Sequence, residues 1–270
     1  SMPDSPRWQL SFWLVCPKFD LYRFGSICET KICAACVPLH GKPYPLYRLF
    51  PDFKRTIDDD IDLIVAPSAY MKERILREYD KDVQVLWNFV PPAPKSLRSV
   101  EEKGYFLFVG QLEPHKGIIE LLDAIKGSRH RLLIFGKGSL EQAVREKIAN
   151  EKLHNVSYKG WASTPDEVLR YMKSAKALIM PSLWAENNPI VALEALSVGT
   201  PVIGTANGGI PEIIEMVDKT LMFDSKEFGQ LRQILDTFDG KRYSRARLQG
   251  VWKKRFSWKA FDATLKKVGY

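Results

Sequence analysis

The run Pro181-Ser182-Leu183-Trp184-Ala185-Glu186-Asn187-Asn188-Pro189-Ile190-Val191-Ala192-Leu193-Glu194-Ala195-Leu196 sets the terms for the whole chain. Pro189 suits the first turn of a helix, where a missing N–H has no intrahelical acceptor to lose. Glu186 then lies in the loop before the helix and Glu194 inside it, with seven residues between them. Ile190 and Val191 supply helix-start N–H groups between the two acids. Such amides favour an anion. The layout suits a sugar diphosphate, with one carboxylate for sugar hydroxyls and the other for ribose hydroxyls. Read alone, Glu194 is an ordinary helix-surface acid.

Outward from this run, apolar or β-branched stretches alternate with helical patterns. Strands are expected at Tyr105–Val109, Arg131–Phe135, Val156–Lys159, Ala177–Met180, Pro201–Gly204 and Leu221–Phe223. Helices are expected near Gly117–Lys126, Ser139–Asn150, Pro165–Lys173, Ile190–Ser197, Ile210–Glu215 and Lys226–Thr237. Strands such as Leu132–Phe135 and Leu178–Met180 are apolar throughout, as in parallel sheets covered on both faces. This rhythm predicts a doubly wound α/β domain whose ligands sit beyond the carboxyl ends of the strands.

Three further segments fall at strand-to-helix junctions. Phe108-Val109-Gly110-Gln111-Leu112-Glu113-Pro114-His115-Lys116-Gly117 offers Lys116 just before a helix, where it is either a pyrophosphate ligand or a solvated cation. Ile134-Phe135-Gly136-Lys137-Gly138-Ser139 is either a close backbone approach to a ligand or a tight turn with Ser139 as cap. Gly199-Thr200-Pro201-Val202-Ile203-Gly204, with Gly208-Gly209-Ile210-Pro211-Glu212 after it, gives a strand, a glycine loop and a new helix.

In order and spacing these segments resemble the retaining glycosyltransferases of family 4, which have the GT-B fold; the resemblance covers about 130 residues. It implies an α/β chain of GT-B type, with a Rossmann-like C-terminal nucleotide-sugar-binding domain and a smaller, incomplete N-terminal α/β domain. It implies that Glu186 and Glu194 are the paired acids of the E-x7-E motif, Glu186 facing the transferred sugar as the catalytic residue and Glu194 the ribose. Donor contacts are then expected from Gly110, Gln111, Lys116, Gly136, Gly138, Trp161, Asn187, Asn188, Pro189, Ile190 and Val191, with Gly160-Trp161 near the base. Gln111 stands where family members commonly carry Arg, which weakens one phosphate contact or moves it elsewhere.

Residues 1–90 are expected to form a partial acceptor-side domain, 91–102 a proline-rich linker, 103–240 the donor domain and 241–270 a basic aromatic helical segment. In the first part Trp8–Val15, Asp62–Ala66 and Val83–Leu86 read as strands, and Ser68 as the cap of a helix running to about Glu78. Three strands are too few for a whole domain, so the chain is truncated, has unobserved residues, or is completed by a partner chain or second copy. Cys16, Cys28, Cys33 and Cys36 lie within 21 residues, and their spacing is open between structural zinc, reduced thiols or disulfides, and an iron–sulfur centre. Phe12-Trp13-Leu14-Val15-Cys16-Pro17 resembles an element that precedes a cysteine-rich loop in a subset of the family. The His-Asp expected before it reads Leu10-Ser11.

The net charge of +8 is concentrated: residues 241–270 hold ten Lys or Arg and only Asp262 as an acid, which is +9, leaving −1 for the rest. That segment either docks an apolar stripe on the body or also touches an anionic membrane surface. No nucleic-acid recognition motif accompanies it. The expected partners are a nucleotide sugar and a glycan or lipid-linked acceptor. Residues 1–6 have no signal-peptide pattern, and the expected compartment is the cytoplasm, with the tail at most peripheral to a membrane. A non-catalytic nucleotide-sugar-binding subunit is the alternative to an enzyme.

Overall fold

The structure, a computed structural model, describes residues 14–16, 22–23, 26–29, 33–39, 46, 51–61 and 63–267. Its first part contains an antiparallel pair, β1 (Tyr22–Arg23) and β2 (Ser26–Ile27), then α1 (Cys33–Leu39), α2 (Pro51–Asp60), β3 (Leu63–Ala66), α3 (Ala69–Leu76) and β4 (Asp82–Val85). The parallel β3–β4 pair and the Ser68-capped α3 follow from the sequence; the Ser68 hydroxyl accepts from Met71 N at 3.1 Å. The β1–β2 pair, α1 and α2 were not expected, because two-residue strands show no alternation and α1 carries Pro38. Most of the strand expected at 8–15 and the Leu10-Ser11 substitution lie outside the described residues, and Leu14 and Val15 are not strand.

No helix or strand occurs between Val85 and Tyr105. The second part then alternates β5 (Tyr105–Val109), α4 (Ile118–Ile125), β6 (Arg131–Phe135), α5 (Glu141–Asn150), β7 (Val156–Gly160), α6 (Pro165–Ser174) and β8 (Leu178–Met180). It continues through α7 (Ile190–Val198), β9 (Val202–Thr205), α8 (Ile210–Ile214), β10 (Met222–Phe223), α9 (Phe228–Thr237), α10 (Arg245–Arg255) and α11 (Trp258–Lys267). All pairings in this sheet are parallel, in the order β10-β9-β8-β5-β6-β7. The chain steps outward from β5 to β7, then restarts at β8 on the other side of β5. That reversal opens a crevice at the carboxyl ends of β5 and β8, where open α/β sheets bind ligands.

Tyr105, Phe106, Leu107 and Phe108 of β5 are all buried, as a strand sandwiched between helix layers requires. Each such side chain contributes roughly 1.5–3 kcal/mol. The smaller core gathers Leu14, Ile57, Ile64, Met71, Ile75 and Val83, and it also takes in Ala185 from the loop between β8 and α7.

Three groups of contacts tie the two parts together. The Glu212 carboxylate accepts from Ala69 N at 2.8 Å, Tyr70 N at 2.9 Å and Trp87 Nε1 at 3.1 Å. Asn88 N donates to Asn188 Oδ1 and Asn88 Nδ2 to the Asn188 carbonyl, both at 2.9 Å. Val90 N donates to the Phe256 carbonyl at 3.0 Å, and the Phe89 ring lies 5.0 Å from Trp258 and 4.8 Å from Phe261. The basic tail is therefore docked: Leu248 and Phe256 are fully buried, while Lys253, Lys254 and Lys259 face outward. Among the described residues no helix is long and apolar enough to cross a membrane.

Candidate active site

A cavity of about 520 Å³ opens at the β5–β8 crevice. Phe108, Val109, Phe135, Ile179 and Met180 from the strand ends form its floor. Its walls bring together Gly110, Gln111, Lys116, Gly136, Trp161, Glu186, Pro189, Ile190, Val191 and Glu194. These are ten of the expected site residues, drawn from four separate junctions of one sheet.

Glu186 is buried, and its Oε1 accepts from Lys116 Nζ at 2.6 Å and from Ser182 Oγ at 2.9 Å. Lys116 Nζ also stands 4.7 Å from the centre of the Trp184 ring. A half-buried cation is thus held by a carboxylate and an aromatic face.

The loop carrying Glu186 is fixed from behind. The Ser182 carbonyl accepts from Thr205 Oγ1 at 2.7 Å and Asn207 Nδ2 at 2.9 Å. Gly209 N donates to the Glu186 carbonyl at 2.6 Å. Gly208 has φ +62°, and a Cβ there would lie 2.2 Å from that carbonyl oxygen. Gly117, with φ +70°, presses in the same way on Pro181, whose carbonyl oxygen would be 2.0 Å from an added Cβ. These glycines act by close approach, in left-handed conformations that other residues rarely adopt. Ser182, Thr205 and Asn207 were not singled out in the sequence; Ser182 lies in a run quoted for another reason, and Thr205 and Asn207 fall between the strand and the glycine loop.

Helix α7 begins at Ile190, with Pro189 as its extended N-cap residue and no capping side chain, and its first residues line the cavity. Its apolar residues Ala192, Leu193, Ala195, Leu196 and Val198 are buried, which anchors the helix and aims its start. Glu194, one turn further on, is half-buried at the cavity wall. Burial pushes its carboxyl above the ordinary range.

At the other end of the cavity Trp161 is 64% exposed, with Lys137 Nζ 4.8 Å above its ring. Glu113 links the two glycine-bearing loops by accepting from Ser139 N at 2.9 Å and Ser139 Oγ at 2.6 Å. Those hydrogen bonds hold its carboxyl below the usual value. Lys116 is the one cationic side chain among the described cavity-lining residues, and Gln111 sits where a second cation was looked for.

Gly138, Asn187 and Asn188 do not line the cavity. A Cβ at Gly138 would lie 2.5 Å from the Leu112 carbonyl oxygen, so this glycine packs one loop on the other. Asn188 faces Asn88, and the Asn187 carbonyl packs on Gly209. Cys16 and Cys36 are buried and Cys28 and Cys33 half-buried. Among the described residues no group of three or more His, Cys, Asp or Glu is placed to hold a metal ion. The four-cysteine zinc centre suggested by spacing is therefore not assembled in this structure.

Residues 90–248 match the family described as Glycosyl transferases group 1, and the chain belongs to that family. It is 27% identical over 210 residues to an uncharacterized glycosyltransferase of Methanocaldococcus jannaschii, covering 77% of this chain and 59% of that protein. It is 29% identical over 175 residues to the D-rhamnosyltransferase WbpZ of Pseudomonas aeruginosa, covering 60% of this chain and 46% of that one. The chain thus spans about half the length of the curated relatives it matches. Among solved structures, HepE of Anabaena in complex with UDP superposes with a TM-score of 0.66 at 15% identity, over 82% of this chain and 68% of that one. The fold is of GT-B type.

Proposed function

We propose that this chain carries the donor site of a retaining glycosyltransferase that moves a hexose from a nucleotide diphosphate sugar to a glycan or lipid-linked acceptor. The observation that carries this reading is the convergence of Lys116, Glu186, Glu194 and the uncapped start of α7 on one cavity at the switch point of the sheet. The diphosphate lies on the α7 amides and draws Lys116 toward it. Glu186 meets the transferred sugar, Glu194 the ribose, and Trp161 marks the base end. As the glycosidic bond breaks, charge grows on the departing diphosphate, and fixed amide dipoles with one cation stabilise it without reorganising. Retention of configuration and the E-x7-E roles come from the family resemblance. In this reading residues 1–90 belong to the acceptor side, 91–102 to a linker and 103–240 to the donor side. The outward cations of α10 and α11, with Trp258 55% exposed, suit peripheral contact with an anionic membrane that would present a lipid-linked acceptor.

Calorimetric titration with UDP, GDP and ADP and their sugars tests the donor site. One nucleotide should bind, and Glu186→Ala should abolish transfer while leaving nucleotide affinity nearly intact. Transfer at wild-type rate in Glu186→Ala would remove that residue from the chemistry.

A further inference from the structure

A second cavity, of about 530 Å³, lies on the same edge of the large sheet, beyond the carboxyl ends of β9 and β10. It shares a wall with the first. Ser182 and Glu186 of the loop between β8 and α7 face the first cavity, while Leu183 of the same loop faces the second. Asn207 lines the second cavity and holds the Ser182 carbonyl. Ile27 and Glu29 close it from the first part of the chain, so it lies where the two parts meet.

Its lining has a distinct chemistry. Leu183, Met222 and Phe223 give an apolar floor, and the exposed side chains of Asp224, Lys226 and Gln230 stand around it. Asp224 Oδ1 accepts from Lys226 N, and Gln230 Oε1 accepts from Asp224 N, which leaves Asp224 Oδ2, Gln230 Nε2 and Lys226 Nζ turned to solvent. Glu29 is engaged by Arg74 at 3.0 Å and Arg77 at 3.7 Å, so the charge offered to a ligand is that of Asp224 and Lys226, which cancel. A second nucleotide or a phosphate finds no excess cation there. A neutral polyol finds donors and acceptors at the edge of an apolar surface, matching a pyranose ring with hydroxyls at its rim and C–H bonds on its faces.

We propose that this second cavity is an acceptor-side saccharide subsite, holding a neutral sugar unit of the acceptor against the wall that carries Glu186. The proposal rests on the transferase reading, because the shared wall matters only if a sugar donor occupies the first cavity. Two substrates on either side of one rigid loop would have their relative position set by the Ser182–Asn207 hydrogen bond and by Gly208.

The test uses the full chain saturated with UDP or GDP, and saturation-transfer NMR with octyl glucoside, octyl galactoside and octyl mannoside as probes. At least one glycoside should show transfer to its ring protons. Asp224→Ala and Gln230→Ala should each weaken that binding about tenfold, with nucleotide affinity unchanged as evidence of an intact fold. Wild-type signals in both variants, or no ring signals from the nucleotide-loaded protein, would overturn the subsite. Failure of the wild type to bind any nucleotide would instead overturn the transferase reading. In that case glycoside signals lost in Asp224→Ala would still support a saccharide site here.

Discussion

Lys116 Nζ lies 2.6 Å from Glu186 Oε1, so the cation expected to meet a diphosphate is seated on the carboxylate expected to meet the sugar. The two side chains are only 18% and 10% exposed. On the proposed reading donor binding divides this pair, and Ser182, which also donates to Glu186 Oε1, stays behind as its hydrogen-bond donor.

Lys116→Met should therefore act on stability and binding together. It leaves a buried carboxylate with the Ser182 hydroxyl alone, for which a loss of about 2–3 kcal/mol is expected, below the full effect of breaking a buried pair. Nucleotide affinity should fall at least about tenfold. Denaturant titration and calorimetry with UDP and GDP read the two effects; full affinity in the variant would take Lys116 off the diphosphate.

Glu194 makes a pH-dependent prediction. Burial raises its carboxyl above the reference value of 4.5, so the folded chain holds that proton more tightly than the unfolded chain. Its contribution to stability is fully present below the unfolded value and is lost as pH rises through the folded one. Glu194→Gln should thus melt above wild type near neutral pH and level with it in acid below the unfolded value. The same variant should bind nucleotide more weakly, having lost its anionic partner for ribose. Equal melting curves at neutral pH would contradict the assignment of a burial penalty.

Two glycines offer a matched comparison. Gly208→Ala forces a Cβ to 2.2 Å from the Glu186 carbonyl oxygen at φ +62°, and should abolish transfer and lower the melting temperature. The strained backbone alone costs about 1–2 kcal/mol. Gly229, inside α9, has nothing within 4 Å of an added Cβ, and Gly229→Ala should stabilise the chain with nucleotide binding untouched. The gain is expected at about 0.5–1 kcal/mol. Parallel melting curves and nucleotide titrations of the two variants decide this.

Glu212→Ala removes three hydrogen bonds at once, two of them to the first amides of α3. Helix-start amides interact with an adjacent carboxylate by about 0.3–1 kcal/mol beyond the hydrogen bonds themselves. Hydrogen exchange should show faster opening at Leu63–Ala66 with little change at Tyr105–Val109. Uniform acceleration in both strands would mean that Glu212 stabilises the whole chain rather than its junction.

Much of the large sheet was legible because each βα unit there is a local pattern. Tyr105–Val109 and Arg131–Phe135 were read to the residue, and other ends moved by one or two positions as turns took over from propensity. The site was legible for a related reason: parallel strands deliver all their carboxyl ends to one edge, so junction residues distant in sequence must meet. What escaped notice depends on contacts that no local pattern carries. Asn188 was expected to contact the donor, yet it turns to Asn88, and Gly138, expected there too, packs its bare Cα on Leu112. Glu212 lies in the first turn of α8, and its carboxylate also accepts from the first amides of α3, up to 143 residues away. In the first part β3, α3 and β4 were legible, whereas the two-residue strands β1 and β2 and the Pro38-bearing α1 gave no period to read.

The return of α10 and α11 to Phe89 and Val90 has a mechanical consequence. These helices lie like a splint over the joint between the halves, with the rings of Trp258 and Phe261 gripping the connecting segment. Any hinge motion there has to strain or peel that splint.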